Sequence, residues 1–271
     1  MGKNTKISWA THTFSPWWGC DEVPEDPACS RCYAREFSKR LLGENLWGER
    51  APRKVNGEHY WNEPLRWNRA AAKRGEQDRV FCASMSDILE DRRDLDAHRA
   101  RLWPLIERTQ NLIWLLLSKR HENYARMLPA EWLRNPRPNV WLGVTTADQR
   151  WADERIPVLL SVPAVCHWIS AEPLLGPLDL RRWLRPDRLS WCVVGGESGA
   201  GARRMDPAWA RDILAQCREA GAAFHFKQKG SALAAELGCK DRAGKDAAQW
   251  PEDLRVQQFP APPAEAVTMG G

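Results

Sequence analysis

The chain has 271 residues, of which 43% are hydrophobic and 28% are charged. This composition is enough to bury the core of a globular domain and excludes a globally disordered chain. The net charge of +5 permits a polyanionic partner without requiring one. The N-terminal segment has no apolar signal-peptide region, and no stretch approaches the roughly eighteen apolar residues of a membrane span. We therefore expect a soluble, cytoplasmic protein with no membrane association.

The most distinctive motif is a loop with three cysteines, Cys20, Cys29 and Cys32, which follows a short strand-like segment. Three thiolates on one loop can ligate three irons of a [4Fe-4S] cluster and leave the fourth iron open, where S-adenosylmethionine could chelate. A structural zinc site instead needs four ligands, and with only one CxxC pair the fourth, for example His12, would come from elsewhere. The thiols could also be small buried side chains, although a loop rich in Pro, Asp and Glu offers little apolar surface. We predict that the three cysteines ligate a cluster.

The other thiols give no sign of a disulfide framework, because the eight cysteines are too sparse and unevenly spaced. Four of them, Cys82, Cys166, Cys192 and Cys217, fall in apolar segments. We predict that these four are core residues.

Seven short apolar segments alternate with helical patterns along the chain. Such alternation predicts a parallel sheet with right-handed crossovers, most simply a complete or partial (β/α) barrel of the TIM type, with a doubly wound open sheet as the alternative. One predicted helix has Asp206 as its N-cap and Gly221 as its stop, and another covers Asp96 to Arg108. We expect one α/β domain over residues 1–250, an insertion after the first strand at 34–78 that covers the barrel mouth, and an extended or disordered tail at 251–271. The seven predicted strands are residues 6–10, 79–84, 111–117, 139–144, 165–170, 189–194 and 223–227.

Polar residues follow most of the predicted strands. In a barrel the carboxyl ends of the strands converge on one site, so these residues should share a cavity with the cysteine loop. Each of them could also be only a helix cap or a member of an internal ion pair. The strand-end residues are Asp87, Ser118, Lys119, Thr145, Glu172, Glu197, Ser198, Lys227 and Gln228.

Two roles are predicted within this set. We expect the charged side chains to be catalytic, namely Asp87, Lys119, Glu172 and Lys227. After the sixth strand, Gly195 and Gly196 would let a ligand approach the backbone, and Glu197 would accept a hydrogen bond from its ammonium group. The predicted cofactor-binding residues are Tyr33, Ser118, Gly195, Gly196, Glu197 and Ser198.

Arg and Lys are interleaved with Trp in the 34–78 segment, and the chain has sixteen Trp in all. Cations beside exposed aromatic rings suit phosphates and unstacked bases, which predicts a nucleic acid or nucleotide as substrate. The alternative is that these Trp side chains form a lid that excludes water and oxygen from the site.

A set of motifs along the chain also carries a family resemblance. It resembles an uncharacterised, phage-related three-cysteine protein family of phages and bacteria, and is more distantly similar to the radical S-adenosylmethionine enzymes, whose barrel carries its cluster cysteines after the first strand. The chain departs from their CxxxCxxC pattern, since eight residues separate Cys20 from Cys29, and its Gly-Gly-Glu follows the sixth strand rather than the second. The motifs are WATHTFSPWWGC, CSRCYA, SMSDILED, LLLSKR, VWLGVTT, ISAEPLLGPLDL, VVGGESG and FHFKQKG.

The resemblance implies an iron–sulfur enzyme of the radical S-adenosylmethionine type, with an electron-donor protein and a partner protein encoded nearby. The alternative function is a nucleic-acid-binding or repair-associated module in which a cluster or a zinc ion only orders the loop.

Overall fold

The computed structural model of the chain describes residues 2–260. Its strands are β1 (His12–Thr13), β2 (Trp17–Trp18), β3 (Lys54–Val55), β4 (Asp78–Cys82), β5 (Leu112–Ser118), β6 (Val140–Thr145), β7 (His167–Ala171), β8 (Leu189–Gly195) and β9 (Ala223–Gln228). Its helices are α1 (Pro27–Ser30), α2 (Tyr33–Leu42), α3 (Glu58–Trp61), α4 (Glu63–Arg74), α5 (Asp96–Glu107), α6 (Tyr124–Met127), α7 (Ala130–Arg134), α8 (Gln149–Ser161), α9 (Pro207–Ala220) and α10 (Ser231–Glu236).

Seven of these strands form one sheet in the order β1-β4-β5-β6-β7-β8-β9, and every neighbouring pair is parallel. The sheet is curled into a half-barrel. Its strand order never reverses, whereas a doubly wound sheet reverses at a switch point. The prediction of an α/β fold with a partial barrel is therefore confirmed, and the doubly wound alternative is wrong.

Six of the seven predicted strands are present, but the first lies elsewhere. Residues 6–10 include a turn, in which the Ala10 amide donates to the Ile7 carbonyl at 3.1 Å, and β1 begins only at His12. The turn directs Trp9 into the protein, where it is 1% exposed. The apolar character of this segment reflects one buried ring rather than a strand.

The predicted helix caps are confirmed in α9. The Asp206 carboxylate accepts from the amide of Ala208 at 2.9 Å, and Gly221 ends the helix with a φ of 69°. A left-handed residue at this position suits glycine, which has no Cβ to clash. The buried face of α9, including Ile213 and Cys217, packs against β8 and β9.

Aromatic side chains fill the other face of the sheet below its carboxyl edge. The rings of Trp9 and Trp168 lie 5.3 Å apart, as do those of Trp168 and Trp191. Gly143 makes this packing possible, because a Cβ there would lie 2.4 Å from the ring of Trp168. We call this layer of packed rings the aromatic floor. The space open to a ligand lies above it, at the carboxyl edge of the sheet.

Fourteen of the sixteen tryptophans are buried and the other two, Trp18 and Trp209, are half-buried. Trp61 and Trp67 of the 34–78 segment are each 2% exposed. The predicted stacking platform for bases is therefore wrong for this segment. Its first part, with Trp47, lies at the mouth of the half-barrel, while α4 packs outside on β4 and β5 as a crossover helix.

The first residues of the predicted tail pack on the sheet edge. The amide of Phe226 donates to the carbonyl of Val256 at 2.8 Å, and that of Gln258 donates to Phe224 at 2.8 Å. This pairing covers the outer edge of β9, which would otherwise expose unpaired backbone groups. The rest of the predicted tail, residues 261–271, lies outside the described residues.

Two further predictions concern the core cysteines and membrane association. The predicted core cysteines are all buried: Cys82, Cys166, Cys192 and Cys217. Among the helices within residues 2–260, none combines the length and apolar character needed to cross a membrane.

Candidate functional site

A cavity of about 680 Å³ opens at the carboxyl ends of the strands, above the aromatic floor. Its lining includes Cys20, Cys29 and Cys32, together with Tyr33 at the start of α2. All nine of the predicted strand-end residues also line it, from Asp87 after β4 to Gln228 at the end of β9. The convergence expected of parallel strands is confirmed.

The three cysteines reach this cavity from different parts of one loop. Cys20 pairs with Trp47 in an isolated bridge, Cys29 lies in α1, and Cys32 is the residue before α2. All three are half-buried. Within the described part of the chain, however, no three Cys, His, Asp or Glu side chains converge closely enough to hold a single metal ion.

Arg120 fixes the first part of the cysteine loop. It follows β5, and its Nη2 donates to the carbonyl of Asp21 at 3.0 Å while Nη1 lies 3.7 Å from Cys20 Sγ. The same guanidinium pairs with the buried Asp87 carboxylate at 3.3 Å. One side chain thus joins the loop to the ends of two strands.

Arg155 fixes the middle of the loop from α8. It forms an ion pair with Asp26 at 2.7 Å in which both side chains are 0% exposed, and it donates to the carbonyl of Thr145 at 2.9 Å. Asp26 in turn accepts from the amide of Ala28 at 2.7 Å and starts α1. The position of α1, which carries Cys29, therefore depends on the buried Arg155–Asp26 ion pair.

Arg203 fixes the start of α1 from the loop after β8. It donates to the carbonyl of Pro27 at 2.7 Å and to the Glu197 carboxylate through Nε at 2.9 Å. Sequence reasoning missed the roles of Arg155 and Arg203. For Arg155 a signal was available, because it shares the apolar stripe of α8 with Trp151 and Ile156.

The thiols and the cations beside them influence each other's protonation. Burial raises the pKa of Cys20 to about 12, although the Arg120 guanidinium opposes the rise. Burial also raises the pKa of Cys29, against the opposing charge of Lys119. Burial alone would lower the pKa of Lys119, but the nearby Cys29, Asp26 and Cys32 outweigh it and raise that pKa. The surroundings therefore favour the neutral thiol form of Cys20 and Cys29 and the charged form of the Lys119 amine.

Asp87 is the best-satisfied carboxylate of the cavity. It accepts from Ser118 Oγ at 2.7 Å, from the Lys119 amide at 3.0 Å and from the Leu89 amide at 3.0 Å. Burial would raise its pKa, but Arg120 and these hydrogen bonds together lower it. Its contacts assign it a positioning role for the β5 end and Arg120. Of the other predicted catalytic residues, Lys227 pairs with Glu172, while the Lys119 amine forms no ion pair within residues 2–260 and lies near Cys29 and Asp26.

The glycine pair after β8 has a different role from the predicted one. Gly195 and Gly196 do not line the cavity, and a Cβ on Gly196 would lie 2.2 Å from the carbonyl oxygen of Lys229. The chain that approaches these glycines is therefore the end of β9, not a ligand. Burial would raise the pKa of Glu197, but hydrogen bonds from Arg203 lower it, so this carboxylate is already engaged.

Two further predicted contacts have clear positions. Ser198 lines the cavity and accepts from Gln228 Nε2. The hydroxyl of Tyr33 donates to the carbonyl of Ser84 at 2.8 Å, which ties the start of α2 to the end of β4. The Tyr33 ring remains 47% exposed.

His12 cannot complete a zinc site with the cysteines in this structure. Its Nε2 lies 3.2 Å from Asp78 Oδ2, its Nδ1 accepts from the Asn4 amide at 3.2 Å, and its ring stacks on Trp67. It does not line the cavity. The suggestion that His12 supplies the fourth ligand is wrong.

The comparisons with known proteins assign a family without an activity. No curated protein and no solved structure significantly matches the chain. A family model with the description "Protein of unknown function (DUF5131)" matches residues 4–257. This match includes the cysteine loop and every strand of the half-barrel, and the chain belongs to this DUF5131 family.

Proposed function

We propose that the protein is an iron–sulfur enzyme of the radical S-adenosylmethionine type, on a half-barrel related to the TIM and radical S-adenosylmethionine barrels. The observation that carries the proposal is the position of Cys20, Cys29 and Cys32, which line one cavity at the carboxyl edge of a parallel half-barrel. Parallel barrels assemble active sites at this edge. Three thiolates from one loop match three irons of a [4Fe-4S] cluster.

The donor set suits a cluster better than a single ion. A tetrahedral zinc ion needs its sulfur ligands within about 4 Å of each other, given Zn–S bonds of about 2.3 Å. A cubane instead offers a separate iron to each thiolate, and thiols spread around a cavity meet that requirement more readily. Lys119 and Arg120 favour the thiolate form that ligation requires.

When bound and reduced, such a cluster supplies an electron to the sulfonium of S-adenosylmethionine. The residues of the chain would position the reactants around it. The Lys227–Glu172 pair, at the carboxyl ends of β9 and β7, lines the cavity and can exchange hydrogen bonds or a proton with polar substrate groups. Asp87 keeps the β5 end and Arg120 in place beside Cys20.

The substrate class is proposed as nucleic acid or nucleotide. Support comes from the basic lysines that line the cavity rather than from the tryptophans of the 34–78 segment, which are buried. Because the tryptophans of this segment are buried, the main argument for a module that only binds nucleic acid no longer applies. An electron-donor protein and a partner protein encoded nearby remain predictions from the resemblance.

The test is anaerobic reconstitution with iron and sulfide, followed by iron and sulfide assay and an absorption spectrum. We expect about four irons per chain, and a loss of most of this iron on Cys20→Ala, Cys29→Ala or Cys32→Ala. Cys239→Ala is the matched control, because Cys239 is also half-buried but does not line the cavity. Full iron content in the three loop variants would disprove the cluster.

The cofactor is tested separately on the reconstituted protein. Titration calorimetry with S-adenosylmethionine should give heat, and chemical reduction should give 5′-deoxyadenosine. A cluster-loaded protein that does neither would retain the iron–sulfur assignment and refute the radical-enzyme assignment.

A further inference from the structure

The lining of the cavity includes a group of lysines from three separate segments. Lys3 and Lys6 belong to the N-terminal segment, Lys227 is the next-to-last residue of β9, and Lys245 lies in the loop after α10. We call these four side chains the lysine wall. They come from positions up to 242 residues apart in number, between 3 and 245, so only folding brings them together.

The backbone that carries these lysines is held in place. The amide of Thr5 donates to the carbonyl of Thr11 at 3.0 Å, which fixes the N-terminal segment beside β1. The amide of Lys229 donates to the carbonyl of Gly244 at 3.1 Å, which fixes the loop before Lys245. The ammonium groups therefore extend from defined positions.

The charges of the lysine wall are only partly neutralised. Lys227 pairs with Glu172, but within residues 2–260 the amines of Lys3, Lys6 and Lys245 have no carboxylate at ion-pair distance. Burial lowers the pKa of Lys245, and the charges of Lys227 and Lys6 lower it further, against Asp241 and Glu172. The like charges of Lys6, Lys227 and Lys245 therefore disfavour one another. Such an arrangement is typical of a binding site for an anion.

We propose that the lysine wall binds the phosphate group of a small phosphorylated substrate of the mononucleotide class. Lys227 is paired with Glu172 and Asp241 acts on Lys245 from outside the lining, so the four lysines keep a surplus of two positive charges over these two carboxylates. A phosphomonoester carries about −1.5 to −2 near neutral pH and so matches this surplus. A carboxylate would neutralise only half of it. Lysine is a common point-charge ligand of phosphate.

Two features favour a mononucleotide over a strand of nucleic acid. The cavity of about 680 Å³ has the size of small-molecule sites, which span about 300–1,000 Å³. Tyr33 is the only exposed Trp, Tyr or Phe within the described residues, and it lines the same cavity. One stacking ring and one phosphate site fit a single nucleotide, whereas a strand needs a row of aromatic rings.

The proposed cluster and the proposed phosphate site share no residues, because the first uses the three loop cysteines and the second uses the lysine wall. That the phosphate belongs to the substrate rests on the proposed function, but binding itself requires none of the cysteines. The lysine wall can therefore be tested on the iron-free protein, and its failure would leave the iron assay unaffected.

The experiment is titration calorimetry of the iron-free full chain with AMP at low salt. We expect saturable binding, weakened about tenfold or more in a Lys6→Ala/Lys245→Ala variant, since each substitution removes a hydrogen bond to a charged group. The control is Lys39→Ala/Lys73→Ala, which removes the same charge from exposed positions outside the cavity and should bind AMP like the wild type. Equal unfolding midpoints in urea would show that both variants are folded.

Three outcomes would overturn the proposal. The first is no heat with AMP for the wild type at low salt. The second is equal affinity in the wild type and the Lys6→Ala/Lys245→Ala variant. The third is lysine-dependent binding of a single-stranded oligonucleotide without binding of AMP, which would assign the wall to a polymer.

Discussion

The two walls of the cavity use their positive charges in opposite ways. On the cysteine side, Arg120, Arg155 and Arg203 each contact the loop and each pair with a carboxylate. In the lysine wall, Lys3, Lys6 and Lys245 have no ion-pair partner in the part of the chain that the structure describes. The planar guanidinium can hold a carboxylate and a backbone carbonyl together, while the ammonium is a mobile point charge. The difference indicates that one wall is built to be rigid and the other to receive a ligand.

The buried Arg155–Asp26 pair gives the strongest test of the rigid wall. Arg155→Met would leave Asp26 charged and without its partner, at an expected cost of about 3–5 kcal/mol in the free energy of unfolding. Urea denaturation measures this change. The matched control is Arg150→Met, on the same helix, which removes an exposed pair with the neighbouring Glu25 and should leave stability unchanged. Equal effects of the two substitutions would contradict the assignment.

Arg203 and its neighbour Arg204 give a second, smaller test. Arg203→Met removes the partner of Glu197, which is 5% exposed, and should lower the free energy of unfolding by about 1.5–3 kcal/mol. Arg204 pairs with Glu236, and both of those side chains are about half exposed. Arg204→Met should therefore have no measurable effect in the same urea titration. If Arg204→Met proves the more costly change, α1 is not held through Arg203.

The protonation of the thiols gives the smallest expected effect and tests the charge balance of the rigid wall. The pKa of Cys20 is raised from 9.0 to about 12 in the folded protein, so its thiolate is scarcer at pH 8 than in the unfolded chain. The stability from keeping this thiol neutral is complete below pH 9 and falls as the pH rises toward 12. In the iron-free protein, iodoacetamide should label Cys20 at least about tenfold more slowly than in urea.

The role of Arg120 can be separated in the same labelling experiment. Arg120→Met removes a charge that lowers the Cys20 pKa, so labelling of Cys20 should slow further. Cys29 is the internal control, because Lys119 rather than Arg120 is the cation that lowers its pKa. Peptide mass spectrometry resolves the two rates. Faster labelling of Cys20 in the variant would refute the charge interaction.

Much of the site's composition could be predicted from the chain, but not its contacts. Parallel strands deliver their carboxyl ends to one edge, so the strand-end polar residues and the cysteines were expected to share a cavity, and they do. Most of the pairings within that cavity were not foreseen, although Glu172 does form an internal ion pair, with Lys227. Glu197 was expected to bind a ligand or to join an internal ion pair, and the structure pairs it with Arg203, six residues further on. Neither hydropathy nor spacing encodes which cation reaches a given carboxylate.

The amino-acid sequence alone determined the features that depend on near neighbours. Continuous apolar runs located six of the seven sheet strands, the caps Asp206 and Gly221 bounded α9, and the spacing of the cysteines marked one loop. These signals act over a few residues, where backbone sterics and side-chain periodicity decide the outcome.

Only the tertiary structure decided the features that depend on distant residues. Arg203 reaches the carbonyl of Pro27 across 176 positions of the chain, and Arg120 reaches that of Asp21 across 99. The lysine wall likewise combines the N-terminus with residue 245. The energy of such contacts depends on burial and on separation in space, and both exist only once the sheet has curled and its loops have packed over the aromatic floor.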